Sequence, residues 1–150
     1  MLLIRNGVFE TNSSSTHCLS MCEKSEFEKW VNGELYYDED SDSFVDDNVR
    51  NKEVKKKIIC HLCEYEDKKY KYKDKIYSNS KDMYTEENLE EITQEQIDDY
   101  LNYEDLWEIP LSYEEWEANV ENSNYIELHL EKETSNGNKV VAFGYYGYDG

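Results

Sequence analysis

Apolar and polar residues alternate most regularly near the C-terminal end. Tyr125 to Glu131 and Lys139 to Tyr146 both read as strands, and Asn136-Gly137 between them is a strong hairpin signal. At the other end, residues 2–11 predict a strand in which Asn6-Gly7 forms a tight turn or bulge. His17 to Cys22 predicts a short second strand. Between these ends the apolar period lengthens to that of a helix. Ser25 and Glu28 form a capping-box pattern ahead of Trp30 and Val31, and Gly33 marks the stop. Leu35-Tyr36-Tyr37 then reads as a strand running into an acidic loop, Asp38 to Asp47.

Val54, Ile58, Ile59, Leu62 and Cys63 recur at helical spacing from Asn51 to about Glu66. Residues 70–77 alternate and fit either an exposed strand or a loop. Thr93/Gln96 and Ser112/Glu115 are two further capping boxes, separated by Pro110. The pattern predicts an α+β fold: a small antiparallel sheet from the N-terminal strands and the C-terminal hairpin, with several short helices packed on it. The expected organisation is a single acidic domain, 1–150.

Charge sharpens this picture. The 150 residues carry 16 basic and 35 acidic side chains, a net −19, unevenly distributed. Residues 1–49 hold 3 basic against 11 acidic groups, residues 50–81 hold 11 against 5, and residues 82–150 hold 2 against 19. An acidic surface of this density repels duplex DNA and anionic membrane and attracts basic protein surfaces. Fourteen tyrosines, four phenylalanines and three tryptophans separate the chain from disordered acidic segments, which are poor in aromatics. No apolar run approaches a membrane span or a signal-peptide core, and four cysteines without an export signal predict a reducing cytoplasm.

The cysteines offer one candidate constellation. Cys18, Cys22, Cys60 and Cys63 have the spacing of a four-thiolate zinc site, but no glycine or proline stands near either pair to make the knuckle turns. The favoured expectation is that they are small apolar core residues, with no metal and no cofactor. Asp38, Asp40 and Asp42 open like a calcium loop, yet Ser43 and Val49 replace the glycine and the bidentate glutamate that such a loop requires.

The N-terminal segment is the second candidate. Arg5, Ser13, Ser14, Ser15, Thr16 and His17 supply hydroxyls, a base and a cation within a short span. They are compatible with a structural turn, a nucleotide or phosphate ligand site, or an activated nucleophile. Neither a nucleophile-elbow pattern nor a phosphate-loop lysine accompanies them. The run Gly7-Val8-Phe9-Glu10-Thr11-Asn12-Ser13-Ser14-Ser15-Thr16-His17 resembles the opening of a group of uncharacterised proteins from phages and low-GC bacteria. That resemblance implies a phage or mobile-element origin and carries no assigned activity.

The acidic half is the third. Glu86, Glu87, Glu90, Glu91, Glu95, Asp98 and Asp99 flank the apolar Leu89, Ile92, Ile97 and Leu101. Glu104, Asp105, Glu108, Glu114, Glu115 and Glu117 follow, with Tyr100, Tyr103, Trp107 and Tyr113 as candidate aromatic anchors. Carboxylates three and four apart on a helix repel one another, so their concentration has a stability cost. Duplex DNA carries about one charge per 1.7 Å of axis, a density that carboxylate-rich helices approach. The sequence therefore points to a small acidic phage protein that occupies the basic groove of a host nucleic-acid-handling enzyme, such as a CRISPR effector nuclease. The rival is a small enzyme or ligand-binding domain built on Arg5 and the serine run. The basic stretch 50–81 pairs with the acidic half within the fold or across a homodimer, or contacts nucleic acid beside the blocked target.

Overall fold

The computed structural model describes residues 4–10, 15–103, 108–123 and 125–148, and the fold is α+β. The chain divides into two compact units: Met1–Asp47 with Leu106–Gly150, and Asn48–Asp105.

In the first unit, strands β1 (Ile4–Glu10) and β2 (Ser15–Glu23) join the C-terminal hairpin, here called β8 (Ile126–Glu133) and β9 (Lys139–Tyr148). They form one antiparallel sheet in the order β1-β2-β9-β8. The Asn6-Gly7 irregularity is a bulge: the register with β2 shifts between Arg5 and Gly7. The C-terminal turn is longer than a two-residue loop. Gly137 N–H donates to the Thr134 carbonyl at 2.9 Å, Thr134 N–H donates to the Asn138 carbonyl at 2.7 Å, and Gly137 has φ +82°. A three-residue loop ending in a left-handed glycine is the next commonest hairpin closure.

Helix α1 (Lys24–Val31) follows β2 with no intervening loop. Glu23 still pairs with Val140 of β9, and it is the N-cap without any side-chain cap bond. The expected Ser25/Glu28 box is therefore corrected: the helix starts ahead of Ser25 because the sheet, not a cap, sets where the chain turns. Helix α5 (Tyr113–Asn122) does carry its box, with Glu115 N–H to Ser112 Oγ at 3.1 Å and Ser112 N–H to Glu115 Oε1 at 2.8 Å.

The two helices pack on the same face of the sheet around Trp30, which is fully buried. Its ring meets Tyr113 at 4.9 Å, Phe143 at 5.0 Å, Trp116 at 5.4 Å and Phe44 at 5.5 Å, and its indole N–H donates to the Leu111 carbonyl at 3.0 Å. Edge-on and tilted pairs of this kind add to the area term. At the sheet's end, Tyr125 stacks on Tyr145 at 5.0 Å and lies across Gly147. A β-carbon at Gly147 would meet the Tyr125 ring at 2.2 Å, so only glycine fits.

The expected acidic loop, Asp38 to Asp47, contains structure. Strands β3 (Tyr36–Asp38) and β4 (Ser43–Val45) make a hairpin, tied to Leu111 by reciprocal 2.8 Å backbone bonds from Tyr37. Asp42 adopts φ +52° and accepts from Tyr37 OH at 2.7 Å and Ser20 Oγ at 3.0 Å. Its half-buried carboxylate thus satisfies two hydroxyls of buried residues.

The second unit begins with helix α2 (Asp47–Leu62), followed by β5 (Glu64–Glu66), β6 (Lys69–Tyr72) and β7 (Lys75–Tyr77), a three-stranded meander. The helix expected to reach Glu66 stops at Leu62. Glu64 and Glu66 instead lie opposite Lys71 and Lys69, a favourable cross-strand charge pairing. Residues 70–77 resolve into two strands with a turn between them. Asp67-Lys68 and Lys73-Asp74 close the two hairpins with positive φ at all four residues, as type I′ geometry requires. A 3-10 turn (Ser80–Met83) leads into helix α3 (Glu86–Glu90) and helix α4 (Gln94–Tyr103). The core here is largely aliphatic: Val54, Ile58, Ile59, Met83, Leu89, Ile92 and Ile97 are buried, together with Tyr72.

Candidate interaction surface

Capping chemistry sets the two short acidic helices. Thr85 Oγ1 accepts from Asn88 N–H at 3.1 Å to start α3, and the buried Asn88 side chain donates to the Met83 carbonyl at 2.8 Å. Thr93 and Gln96 close a reciprocal box at the start of α4, with 3.2 Å and 2.9 Å bonds. With Leu89, Ile92 and Ile97 turned inward, Glu86, Glu87, Glu90, Glu91, Glu95, Asp98 and Asp99 are all exposed.

These carboxylates differ in what the helix does for them. Glu86, Glu87 and Glu95 occupy first turns, where the positive end of the helix dipole favours them. Glu90 and Glu91 occupy the end of α3, where the dipole opposes them. Glu91 is ion-paired with Lys73, an intramolecular contact between the basic stretch and the acidic one. Among the described residues it is the one member of the seven with such a pair. Asp98 accepts from Gln94 Nε2 at 3.0 Å. Tyr100 is half-buried, with His61 edge-on at 5.8 Å.

Glu104, Asp105 and Trp107 lie outside the described residues, as does the side chain of Tyr103. Glu108, Glu114 and Glu115 belong to the other unit. Glu108 and Glu114 are exposed, while the Glu115 carboxylate is engaged in capping α5.

The N-terminal candidates are placed by their backbone. Ser13 and Ser14 lie outside the described residues. Ser15, Thr16 and His17 belong to strand β2, opposite Tyr148, Gly147 and Tyr146, with Arg5 on β1 opposite Ser20. Four of the six thus sit in paired strands rather than in a free loop.

The cysteine expectation needs correction at one pair. Cys22 is buried as expected, and burial, then the charges of Glu26 and Glu23, push its thiol up to about 12. Cys60 is exposed and Cys63 is half-buried. At 3.6 residues per turn Cys60 lies on the far side of α2 from Val54 and Ile58, a geometry the spacing already contained. Cys18 belongs to β2, and its side chain lies outside the described set. Among the described residues no group of three or more His, Cys, Asp or Glu side chains is placed to hold a metal ion.

One arrangement escaped the sequence. On β8 the polar positions, not the apolar ones, face α1 and α5. Tyr113 OH donates to Glu127 at 2.7 Å, His129 stacks on Phe27 at 4.9 Å, and Lys24 pairs with Glu131 at 2.8 Å. Ile126 and Leu130 point the other way and are 53% and 66% exposed. The register decides this, because Glu127, His129 and Glu131 lie opposite Tyr145, Phe143 and Val141, and directly paired residues share a face. Glu117 of α5 reaches the same cluster. Desolvation, then its hydrogen bond to Glu127 and the Glu127 charge, raise its carboxyl to about 7. Burial and the bond to Glu127 push the Tyr113 hydroxyl up as well.

No protein-family model, curated protein or solved structure matches this chain. Among the described residues no helix is long and apolar enough to cross a membrane.

Proposed function

We propose that this chain is a non-enzymatic binding protein that occupies the basic nucleic-acid groove of another protein, with α3 and α4 supplying the charge. The observation that supports this reading is the seven exposed carboxylates on two short helices, of which Glu91 is ion-paired with Lys73 and Glu87 lies within reach of the same lysine's charge among the described residues. Glu90 in particular sits where the helix dipole disfavours it, so local helix stability does not account for its identity. A Lys/Arg-lined groove would supply cations, and long-range attraction would steer the encounter. The resemblance of the opening to phage and low-GC bacterial proteins makes a host defence nuclease, such as a CRISPR effector, the natural class of target, met in the bacterial cytoplasm.

The test is capture of a nuclease or other nucleic-acid-binding protein from lysate of a low-GC bacterium at 0.1 M and 1 M salt, with duplex DNA as competitor. Screening contracts from about 10 Å to about 3 Å over that range. Binding should therefore collapse at high salt and under competition. The combined change Glu90→Gln, Glu91→Gln, Asp98→Asn and Asp99→Asn should weaken binding at least tenfold with the circular dichroism spectrum unchanged. Equal binding at both salt concentrations, or full affinity in the quadruple variant, overturns the proposal.

A further inference from the structure

The acidic helices use none of the sulfur chemistry in the second unit. Cys60 lies in the last turn of α2 and Cys63 directly follows its end. Cys63 N–H still donates to the Ile59 carbonyl at 3.0 Å, so the backbone remains helical through this step. Cys63 Sγ folds back onto the Cys60 carbonyl at 3.0 Å, which brings it alongside Cys60. Cys60 itself is exposed, and the Tyr84 hydroxyl lies against its thiol. Lys56, one turn earlier on the same helix face, stands 5.8 Å from the centre of the Tyr84 ring.

Helical geometry places α-carbons three residues apart at about 5 Å, inside the 4.4–6.8 Å window of a disulfide. Their β-carbons stand about 5–6 Å apart, against roughly 3.5–4.5 Å in a relaxed bridge. Closure therefore requires the last turn to tighten by about an ångström, which a helix end accommodates and a helix interior does not. A bridge formed under such strain is readily reduced, the property of labile and regulatory disulfides. Two sulfurs with no third ligand among the described residues make a poor resident-metal site.

We infer that Cys60 and Cys63 form a reversible thiol–disulfide exchange site that reacts with low-molecular-weight disulfides such as oxidised glutathione. The exposed Cys60, as thiolate, attacks one sulfur of the small disulfide, and one thiolate leaves. Cys63 loses its proton to solvent and attacks Cys60 Sγ, expelling the second thiolate. The two protein thiols are oxidised and one small disulfide is reduced to two thiols. Burial and the neighbouring Cys60 raise the Cys63 thiol, so its attack on Cys60 Sγ speeds up as pH rises.

The full chain is equilibrated at pH 8 with graded ratios of oxidised to reduced glutathione, acid-quenched, alkylated and digested. The peptide spanning residues 60–63 should lose two hydrogens, carry no glutathione, and return to the dithiol when dithiothreitol is added. Cys63→Ser should instead accumulate a stable glutathione adduct on Cys60, and Cys60→Ser should slow modification of this peptide at least tenfold. A wild-type peptide that remains fully alkylatable at every ratio overturns the inference. So does one that stops at the glutathione adduct or bridges only between chains.

Discussion

The two units hold themselves together by different means. In the unit formed by Met1–Asp47 and Leu106–Gly150, one tryptophan organises the interior, and buried hydroxyls are satisfied by a carboxylate brought from a hairpin. In Asn48–Asp105 the interior is mostly aliphatic, and α3 and α4 start on threonine caps. The first arrangement consumes acidic side chains: Asp42, Glu115, Glu127 and Glu131 all have internal partners. The second keeps the carboxylates of α3 and α4 exposed, with Glu91 ion-paired to Lys73 at the surface. A chain this acidic can present a dense negative face only where apolar packing and neutral caps, rather than the carboxylates, carry the fold.

The sharpest way to break that comparison is to delete the two centres. Trp30→Ala should cost about 5 kcal/mol and Ile59→Ala about 3 kcal/mol, in urea denaturation followed by far-ultraviolet circular dichroism. Trp30 loses contacts with several rings and the indole bond to the Leu111 carbonyl, which Tyr37 N–H continues to satisfy, whereas Ile59 is one of several equivalent aliphatic neighbours. An equal or reversed order would show that no single residue organises the aromatic interior.

Asp42→Ala leaves the Tyr37 and Ser20 hydroxyls without their shared acceptor, and should cost about 1–3 kcal/mol in the same assay. By contrast, Asp74→Ala, at an exposed turn of the meander, should cost less than that.

A third test is pH. Glu117 in the folded state holds its proton up to about 7, whereas the unfolded chain releases it near the ordinary value of 4.5. Between those values the folded state binds more protons, so stability falls as pH rises through the window. Melting temperature should therefore be higher at pH 5 than at pH 8 on this account. Glu117→Gln should flatten that slope. Identical slopes in the wild-type and Glu117→Gln proteins would remove the carboxyl pair from the explanation.

The smallest effect concerns the meander turns. Lys68 has φ +63°, a conformation that costs a β-carbon-bearing residue about 1–2 kcal/mol. Glycine relieves that strain but loses about 0.5–1 kcal/mol of chain entropy. Lys68→Gly should raise stability by a few tenths of a kcal/mol to about 1 kcal/mol, read as a shift in the urea midpoint.

Alternation and turn chemistry were enough, from the sequence alone, to place both ends of the chain in one antiparallel sheet, because a period of two and an Asn-Gly pair act locally. Two of the three capping boxes were legible for the same reason: their bonds span only three residues. The third failed because pairing of Glu23 with Val140, far away in sequence, decides where β2 ends. Seven outward carboxylates could be listed from sequence, and their exposure followed from the inward Leu89, Ile92 and Ile97.

Other features depended on long-range contacts. Asp42 gave no sign that it would serve Ser20 and Tyr37, and neither Asp67-Lys68 nor Lys73-Asp74 carries the glycine that marks a type I′ turn. The facing of β8 was decided by its register on β9, which turned Glu127, His129 and Glu131 inward and Ile126 and Leu130 outward. Periodicity determines that a strand has two faces. Which face meets the helices depends on packing against residues distant in the chain, and only the tertiary structure supplies that.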